Sequence, residues 1–217
     1  MRNITILLLL TFGLSQDYSL QFDGVDDYVL MGDQSDLDVA DGDFTLQAII
    51  KVSSSISSNG YIISKRFYSS GPGYDLYVKS TGEIKADILN SSGETSFFSL
   101  TTVADDAWHF VHAVFDRDGY GTVYVDGVAG VGVVLGQQGN LDNDKVFSVG
   151  EFSSLDGRVI LGLIDEVAIW TKALTASEIS ALYNSGSGLD ASVDSGDYIS
   201  SSSLKGYWNF DAGSGDT

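Results

Sequence analysis

Asp165 and Glu166 interrupt the otherwise apolar run from Leu163 to Trp170, and no other acids in the sequence have a clearer chemical consequence. Val167, Ile169 and Trp170 favour a pleated backbone, so the run reads as a strand. Side chains alternate along a strand. That puts Leu163, Asp165, Val167 and Ile169 on one face and Ile164, Glu166, Ala168 and Trp170 on the other. Each face is apolar apart from one carboxylate. Such a strand is expected to be covered on both sides, and a covered carboxylate needs a partner. A metal ion is one such partner.

Other residues invite chemistry and mostly decline it. His109 and His112 stand three apart on a strand-like run, so they point to opposite faces and do not chelate one ion together. No serine sits in a Gly-x-Ser-x-Gly elbow, and the chain has no cysteine to act as a thiol nucleophile. Asp33 to Asp43 resembles a calcium loop only in part. With Asp36 as position one, Ala40 falls at position five and Gln47 at position twelve, where an EF-hand needs oxygen ligands. That segment reads as a solvated loop. Asp116-Arg117-Asp118-Gly119 and Asp142-Asn143-Asp144 read as turns. Arg66 to Gly73 is a loop with two unpatterned aromatics, Phe67 and Tyr68, which are expected to pack over the sandwich edge and are otherwise the best local candidate for stacking on a sugar ring. The three tryptophans sit on or beside strands or in the tail and are expected to fill core.

These residues need a scaffold, and the pattern supplies one. Phe44, Leu46, Ala48, Ile50 and Val52 alternate with Thr45, Gln47, Ile49 and Lys51; Ile84, Ala86 and Ile88 alternate with Glu83, Lys85 and Asp87. Trp108 to Phe115 turns through Asp-Gly chemistry into Thr122 to Asp126, a hairpin. Further strands are expected near 19–23, 27–31, 61–65, 74–79, 95–100, 131–135 and 146–150. One short helix follows the last strand. Thr175 is its N-cap, Glu178 closes a capping box, Leu174 staples onto Ile179, and Asn184-Ser185-Gly186 ends it. The fold expected is all-β: an antiparallel two-sheet jelly-roll sandwich with one short C-terminal helix.

Ile164-Asp165-Glu166-Val167, Trp170, Ala173-Leu174, Glu178-Ile179 and Leu182-Tyr183 together resemble the last strand and helix of laminin-G-like jelly-roll domains in the concanavalin A-like lectin and glucanase superfamily. Four more segments fit in order: Phe22 to Val29, Phe44-Thr45-Leu46, Trp108 to Val111, and Val123 to Gly127. The resemblance covers residues 20–184. It implies a calcium ion, because in relatives an aspartate matching Asp165 helps ligate calcium together with oxygens near the N-terminal strand. Here those are Asp23, Gly24, Asp26 and Asp27. The resemblance also sets a test for catalysis. Laminarinase-like members carry Glu-x-Asp-x-x-Glu on one strand, and no stretch here matches; Glu83-x-x-x-Asp87 has the wrong spacing. No catalytic residues are assigned.

Residues 1–15 read as a signal peptide: Arg2 is the positive end, Ile4 to Leu14 the apolar core, and Gly13-Leu14-Ser15 the small-residue exit. The run is short of the roughly 20 residues that a spanning helix needs. The jelly roll is assigned to 17–186. Residues 187–203 are rich in Ser, Gly and Asp and read as a linker. Residues 204–217, with Trp208-Asn209-Phe210-Asp211, read either as the start of a further module in a larger chain or as an extra edge strand. The net charge of −19 opposes nucleic-acid binding and adsorption to anionic membranes. What is expected, then, is a secreted or cell-surface, non-catalytic recognition or adhesion module that binds glycans or surface or matrix proteins. The alternatives are a structural spacer in a tandem-repeat protein and an accessory domain of a polysaccharide hydrolase.

Overall fold

The computed structural model describes residues 6–8, 18–66, 71–90, 93–136 and 139–212. Of residues 1–15, Ile6–Leu8 are described, and they pair with Tyr18–Leu20 as a strand where a signal peptide was expected; residues 67–70, with Phe67 and Tyr68, lie outside the described residues. In chain order the strands are β1 (Ile6–Leu8), β2 (Tyr18–Asp23), β3 (Val29–Leu30), β4 (Phe44–Val52), β5 (Gly60–Arg66), β6 (Gly73–Val78), β7 (Glu83–Asn90), β8 (Gly93–Thr102), β9 (Trp108–Phe115), β10 (Tyr120–Val125), β11 (Val128–Ala129), β12 (Val133–Val134), β13 (Ser148–Val149), β14 (Leu161–Trp170) and β15 (Leu204–Trp208). They form two antiparallel sheets. One has nine strands along the path β1-β2-β14-β4-β9-β10-β11, with β12 on β10 and β15 on β14; the other has six, ordered β3-β13-β5-β6-β7-β8. This is the expected jelly-roll sandwich.

The core lies between the sheets, and alternation builds it. Phe44, Leu46, Ala48, Ile50 and Val52 of β4 all point inward, as do Ile84, Ala86 and Ile88 of β7, and none is exposed. Phe44 stacks on Phe115 with ring centroids 4.0 Å apart. The loop from Asp33 to Asp43 is not merely solvated. Leu37 and Val39 are buried in the core, and the buried Lys65 ammonium pairs with Asp38 at 2.8 Å and Asp33 at 3.2 Å. Two apolar side chains and one ion pair therefore hold that segment down.

The strand β14 is the hub of the nine-stranded sheet. One edge pairs with β4; the other pairs first with β2 at residues 161–164 and then with β15 at residues 167–170. A bulge between Asp165 and Ala168 breaks the register, with Glu166 at φ 50°. A bulge adds one residue and reverses the alternation beyond it. Ile164 faces the main core before the bulge; Val167 and Ile169 face it afterwards, while Ala168 and Trp170 turn outward. The simple alternation expected for this run is thereby corrected: Asp165 opposes Val167 and Ile169 and does not share their face.

The helix α1 (Ala176–Tyr183) begins as its sequence signals. Thr175 Oγ1 accepts the Glu178 N–H, the Glu178 carboxylate accepts the Thr175 N–H, and Asn184 closes the end in the left-handed conformation. Residues 187–203 do not behave as a linker. They fold back over the outer face of β14, where Ala191 and Tyr198 are fully buried with Trp170, Ile179 and Leu182. Trp170 Nε1–H donates to Tyr198 Oη at 2.8 Å, and that hydroxyl donates to the Ala191 carbonyl at 2.6 Å. Of the two readings of the tail, Leu204–Trp208 adopts the edge-strand one, pairing Val167 with Trp208 and Ala168 with Tyr207.

Candidate functional site

The outer face of the nine-stranded sheet carries a pocket of about 510 Å³, within the usual range for small-ligand sites. Its floor comes from the sheet. β4 contributes Gln47 and Ile49, β9 contributes Trp108 and Phe110, and β14 contributes Asp165 and Glu166. β2 adds Tyr18 and Ser19 at one side. The turn from Gly186 to Asp190 and the tail from Tyr207 to Asp211 make nearly half of the wall. Gly188 permits this close approach: it sits at φ 67°, and a Cβ there would lie 3.1 Å from the Phe110 ring.

Hydrogen bonds fix the polar groups of the pocket. His112 is fully buried behind it, and its Nε2 bonds Gln47 Oε1 at 2.9 Å. Gln47 Nε2–H donates to the Glu166 carbonyl at 3.1 Å, so the amide oxygen faces the histidine and His112 Nε2 carries the proton. Burial holds the imidazole neutral, lowering its pKa to about 3. Asp165 Oδ1 accepts the Glu166 N–H at 2.8 Å. Tyr207 Oη donates to Glu166 Oε2, and burial together with that carboxylate holds the phenol well above its ordinary range. Asp211 Oδ1 accepts the Tyr18 N–H at 3.3 Å, and Asp190 Oδ1 accepts from Ser192 N and Oγ. Four carboxylates thus border one pocket whose aromatic walls are Tyr18, Trp108, Phe110 and Tyr207.

The ligands expected to form one calcium site are divided. Asp23, Asp26 and Asp27 do come together, with one carboxylate oxygen of each within 4.8 Å of the others. Gly24 makes the turn between them at φ 77°, against Leu161. Asp23 Oδ1 accepts the Val25 N–H and Asp27 Oδ2 accepts the Asp23 N–H, both at 2.9 Å. Asp165 is elsewhere. β14 meets Asp23 at Leu161, four residues before Asp165, so the two lie about 13 Å apart along the strand. The bulge also commits Asp165 to the outer face, as a wall of the pocket. His109 and His112 likewise keep separate partners. His109 bonds Asp126 at 2.8 Å and Asp105 at 3.2 Å.

A second group of acids escaped the sequence reading. On the outer face of the six-stranded sheet, Asp75 and Asp87 stand directly opposite each other on β6 and β7. Asp87 was expected to face water but is 2% exposed, and Asp75 is fully buried. Arg66 Nη1 lies 3.1 Å from Asp75, 3.8 Å from Asp87 and 3.0 Å from Glu94; Lys85 pairs with Asp87 at 3.0 Å. Burial pushes the Asp75 carboxyl up to about 7, against the pull of Arg66 and Ser64. Trp108 was also expected to fill core and instead lines the pocket. The one available signal was its place at the start of β9, beside a loop.

A family model described as the concanavalin A-like lectin/glucanases superfamily, of laminin G type, matches residues 23–180. Comparison with curated proteins gives no match. Among solved structures, the binding domain of Paraclostridial mosquitocidal protein 1 superposes with a TM-score of 0.67 at 14% identity, covering 84% of this chain and 46% of that one. A candidate carbohydrate-binding protein from Bacteroides ovatus gives 0.64 at 18% identity, covering 89% and 51%. The heptameric SAP-like pentraxin of Limulus polyphemus gives 0.57 at 18% identity, covering 76% and 81%. The chain spans about half the length of the first two, and at these identities the likeness is one of fold. The family match covers well over half of the sequence, and the chain belongs to the concanavalin A-like lectin/glucanase superfamily as a laminin-G-like jelly roll.

Proposed function

We propose that this chain is an exported, non-catalytic recognition module whose ligand is a glycan, free or carried on a surface or matrix protein, and whose binding site is the pocket on the outer face of the nine-stranded sheet. The observation that carries the reading is the pocket's composition. Aromatic faces from Trp108, Tyr18 and Tyr207 stand beside hydroxyl-binding groups from Gln47, Asn209, Asp165 and Asp211, the pairing that sugar rings require. Similar folds described as a binding domain and as a candidate carbohydrate-binding protein are in keeping with it.

The non-catalytic part is supported by the fate of the facing carboxylates Asp75 and Asp87. Asp75 and Asp87 have the proximity that two-carboxylate hydrolysis uses, but they are buried and ion-paired to Arg66 and Lys85, closed to a substrate. Export rests on Arg2 followed by the apolar run to Leu14; the pairing of Ile6–Leu8 with Tyr18–Leu20 is the competing edge-strand arrangement of the same run. Among the described residues no helix is long and apolar enough to cross a membrane. Calcium belongs to the proposal at the exposed turn of Asp23, Asp26 and Asp27, where three carboxylates fit a hard cation completed by water.

A glycan array probed with the full chain and with Trp108→Ala tests the reading. Defined glycan signals that Trp108→Ala removes, with its melting curve kept, are expected. No signal on any glycan for the wild-type chain would leave the spacer alternative.

A further inference from the structure

Gln47 is a polar group of the pocket whose direction is fixed from both sides. It lies on β4, between β14 and β9, and is 3% exposed. Its Nε2–H donates to the Glu166 carbonyl of β14, and its Oε1 accepts from His112 Nε2 of β9. A carbonyl cannot donate, so the amide cannot reverse without setting two acceptors against each other. Glu166 reaches this position through the bulge, where it stands at φ 50° in the left-handed region. Strain of that kind persists only where its surroundings hold it, and bulges re-aim the groups they displace. Here the re-aimed group is the carbonyl that anchors Gln47.

The amide has one edge left. A primary amide offers two N–H groups and two lone pairs, and among the described residues Gln47 uses one of each within the protein. The N–H that reaches a backbone carbonyl in the sheet points back along the side chain. The second N–H therefore lies beside the amide oxygen, on the edge that faces away from the sheet, where Gln47 lines the pocket. That edge presents a donor and an acceptor side by side. Two adjacent sugar hydroxyls meet both, since each hydroxyl donates and accepts. An ammonium only donates and a carboxylate only accepts, so each meets half of the edge. A trans acetamido or peptide group points its N–H and C=O in opposite directions and likewise meets half. Trp108 stands opposite Lys51, four residues along β4 from Gln47, or about 13 Å. One pyranose ring does not span both, so the ring that stacks on Trp108 is not the ring that Gln47 meets.

We propose that Gln47 is the specificity-determining residue of the pocket, that its outward amide edge reads two adjacent free hydroxyls on one ring of an oligosaccharide, and that His112 is a positioning residue acting through it. The proposal rests on the glycan reading above and deepens it.

Calorimetry on the full chain with neutral tetramers of glucose, mannose and galactose, and with single-deoxy analogues of whichever binds best, tests this. The expected result is a loss of about tenfold on removing either member of one adjacent hydroxyl pair, and smaller losses elsewhere. In Gln47→Met the parent sugar and those two analogues should bind alike, whereas Trp108→Ala should weaken all of them and keep their ratio. Gln47→Met leaves the Glu166 carbonyl and the His112 N–H unpaired, so His112→Leu is the second variant. It removes a buried Nδ1 that has no hydrogen-bond partner among the described residues, and it frees Gln47 to turn. Its melting curve should hold while the hydroxyl preference shrinks. A folded His112→Leu that keeps the full preference overturns the positioning role. Equal binding of every deoxy analogue, or a preference that survives Gln47→Met, overturns the assignment of Gln47 and leaves the glycan pocket standing. Wild-type binding of none of the tetramers overturns both.

Discussion

The outer faces of the two sheets solve the same problem in opposite ways. Each carries acids on its outer side. On the six-stranded sheet Asp75 and Asp87 are closed over and neutralised by Arg66 and Lys85, with Tyr61 and Tyr77 stacked 4.6 Å apart beside them. On the nine-stranded sheet Asp165 and Glu166 stay at the edge of an open cavity with no base in its wall among the described residues. A buried, paired acid does structural work, and its loss is felt as stability. Asp165 and Glu166 are held at the wall by hydrogen bonds from the Glu166 N–H and the Tyr207 hydroxyl.

Arg66→Met should produce the largest effect. Removing the one cation shared by Asp75, Asp87 and Glu94 takes from the buried Asp75 its ion-pair partner, while Lys85 still pairs with Asp87 and Glu94, at a cost of about 3–5 kcal/mol. Thermal unfolding should fall by roughly 10 °C for a chain of this size. Asp211→Asn, at the cavity edge, should barely move it. Equal losses would erase the distinction between the two faces.

The titration of the two faces should differ in sign. His112 behind the pocket is neutral when folded, its pKa lowered by burial from 6.5 to about 3. The unfolded chain takes a proton below 6.5 and the folded chain does not, so this group's contribution to stability is lost as pH falls below 6.5. Asp75 runs the other way. Burial raises it from 3.8 to about 7, so the folded chain holds the extra proton and stability declines as pH rises between those values. Each slope is at most about 1.4 kcal/mol per pH unit, and over their common window they cancel. Asp75→Asn should unmask His112. Relative to wild type, the variant should lose roughly 2–3 kcal/mol on going from pH 6.5 to 4.5, read from denaturant midpoints at each pH. Parallel profiles for the two proteins would mean that Asp75 stays ionised against Arg66.

The sandwich was legible because alternation in β4 and β7, the Asp-Gly hairpin and the capping box at Thr175 are local signals, and the structure keeps each of them. The site was less so, for two physical reasons. The bulge at Glu166 depends on pairing with β4 and β15, and nothing in Ile-Asp-Glu-Val announces a left-handed residue. Two adjacent acids in an apolar strand were the only hint that one face would open. The tail failed differently. Composition averaged over Ser, Gly and Asp hid Ala191 and Tyr198, whose burial against Trp170 is a tertiary fact. With residues 187–203 read as a linker, the part of the pocket wall made by Ser187 to Asp190 was invisible. Asp75 and Asp87 were hidden for a similar reason, since their facing register is set by the pairing of β6 with β7.

That tail can be probed on its own. Tyr198→Phe removes one hydroxyl that accepts from Trp170 and donates to the Ala191 carbonyl, leaving two buried groups unpaired. The expected loss is about 2 kcal/mol, with a matching gain in proteolysis within residues 187–203. Because the same segment walls the pocket, sugar binding should weaken too. Unchanged stability would return residues 187–203 to the status of a linker.

The smallest effect belongs to the third group of acids. Asp23, Asp26 and Asp27 are gathered at an exposed turn, and two of their oxygens already accept backbone N–H bonds. Calcium takes about six to eight oxygens, so three carboxylates leave much of the shell to water and imply weak binding, on the order of 1 mM. At about 10 mM calcium, binding to the folded chain alone would add roughly 1.4 kcal/mol, or about 4 °C in melting temperature relative to chelator. Asp26→Asn should cancel that shift. Asp165→Asn should leave it intact, because Asp165 lies about 13 Å along the strand from Asp23. A calcium shift lost in Asp165→Asn and kept in Asp26→Asn would move the ion into the pocket and make the dispersed carboxylates there its ligands. Identical curves in calcium and chelator would remove the ion altogether, leaving the turn a solvated cluster braced by its own hydrogen bonds.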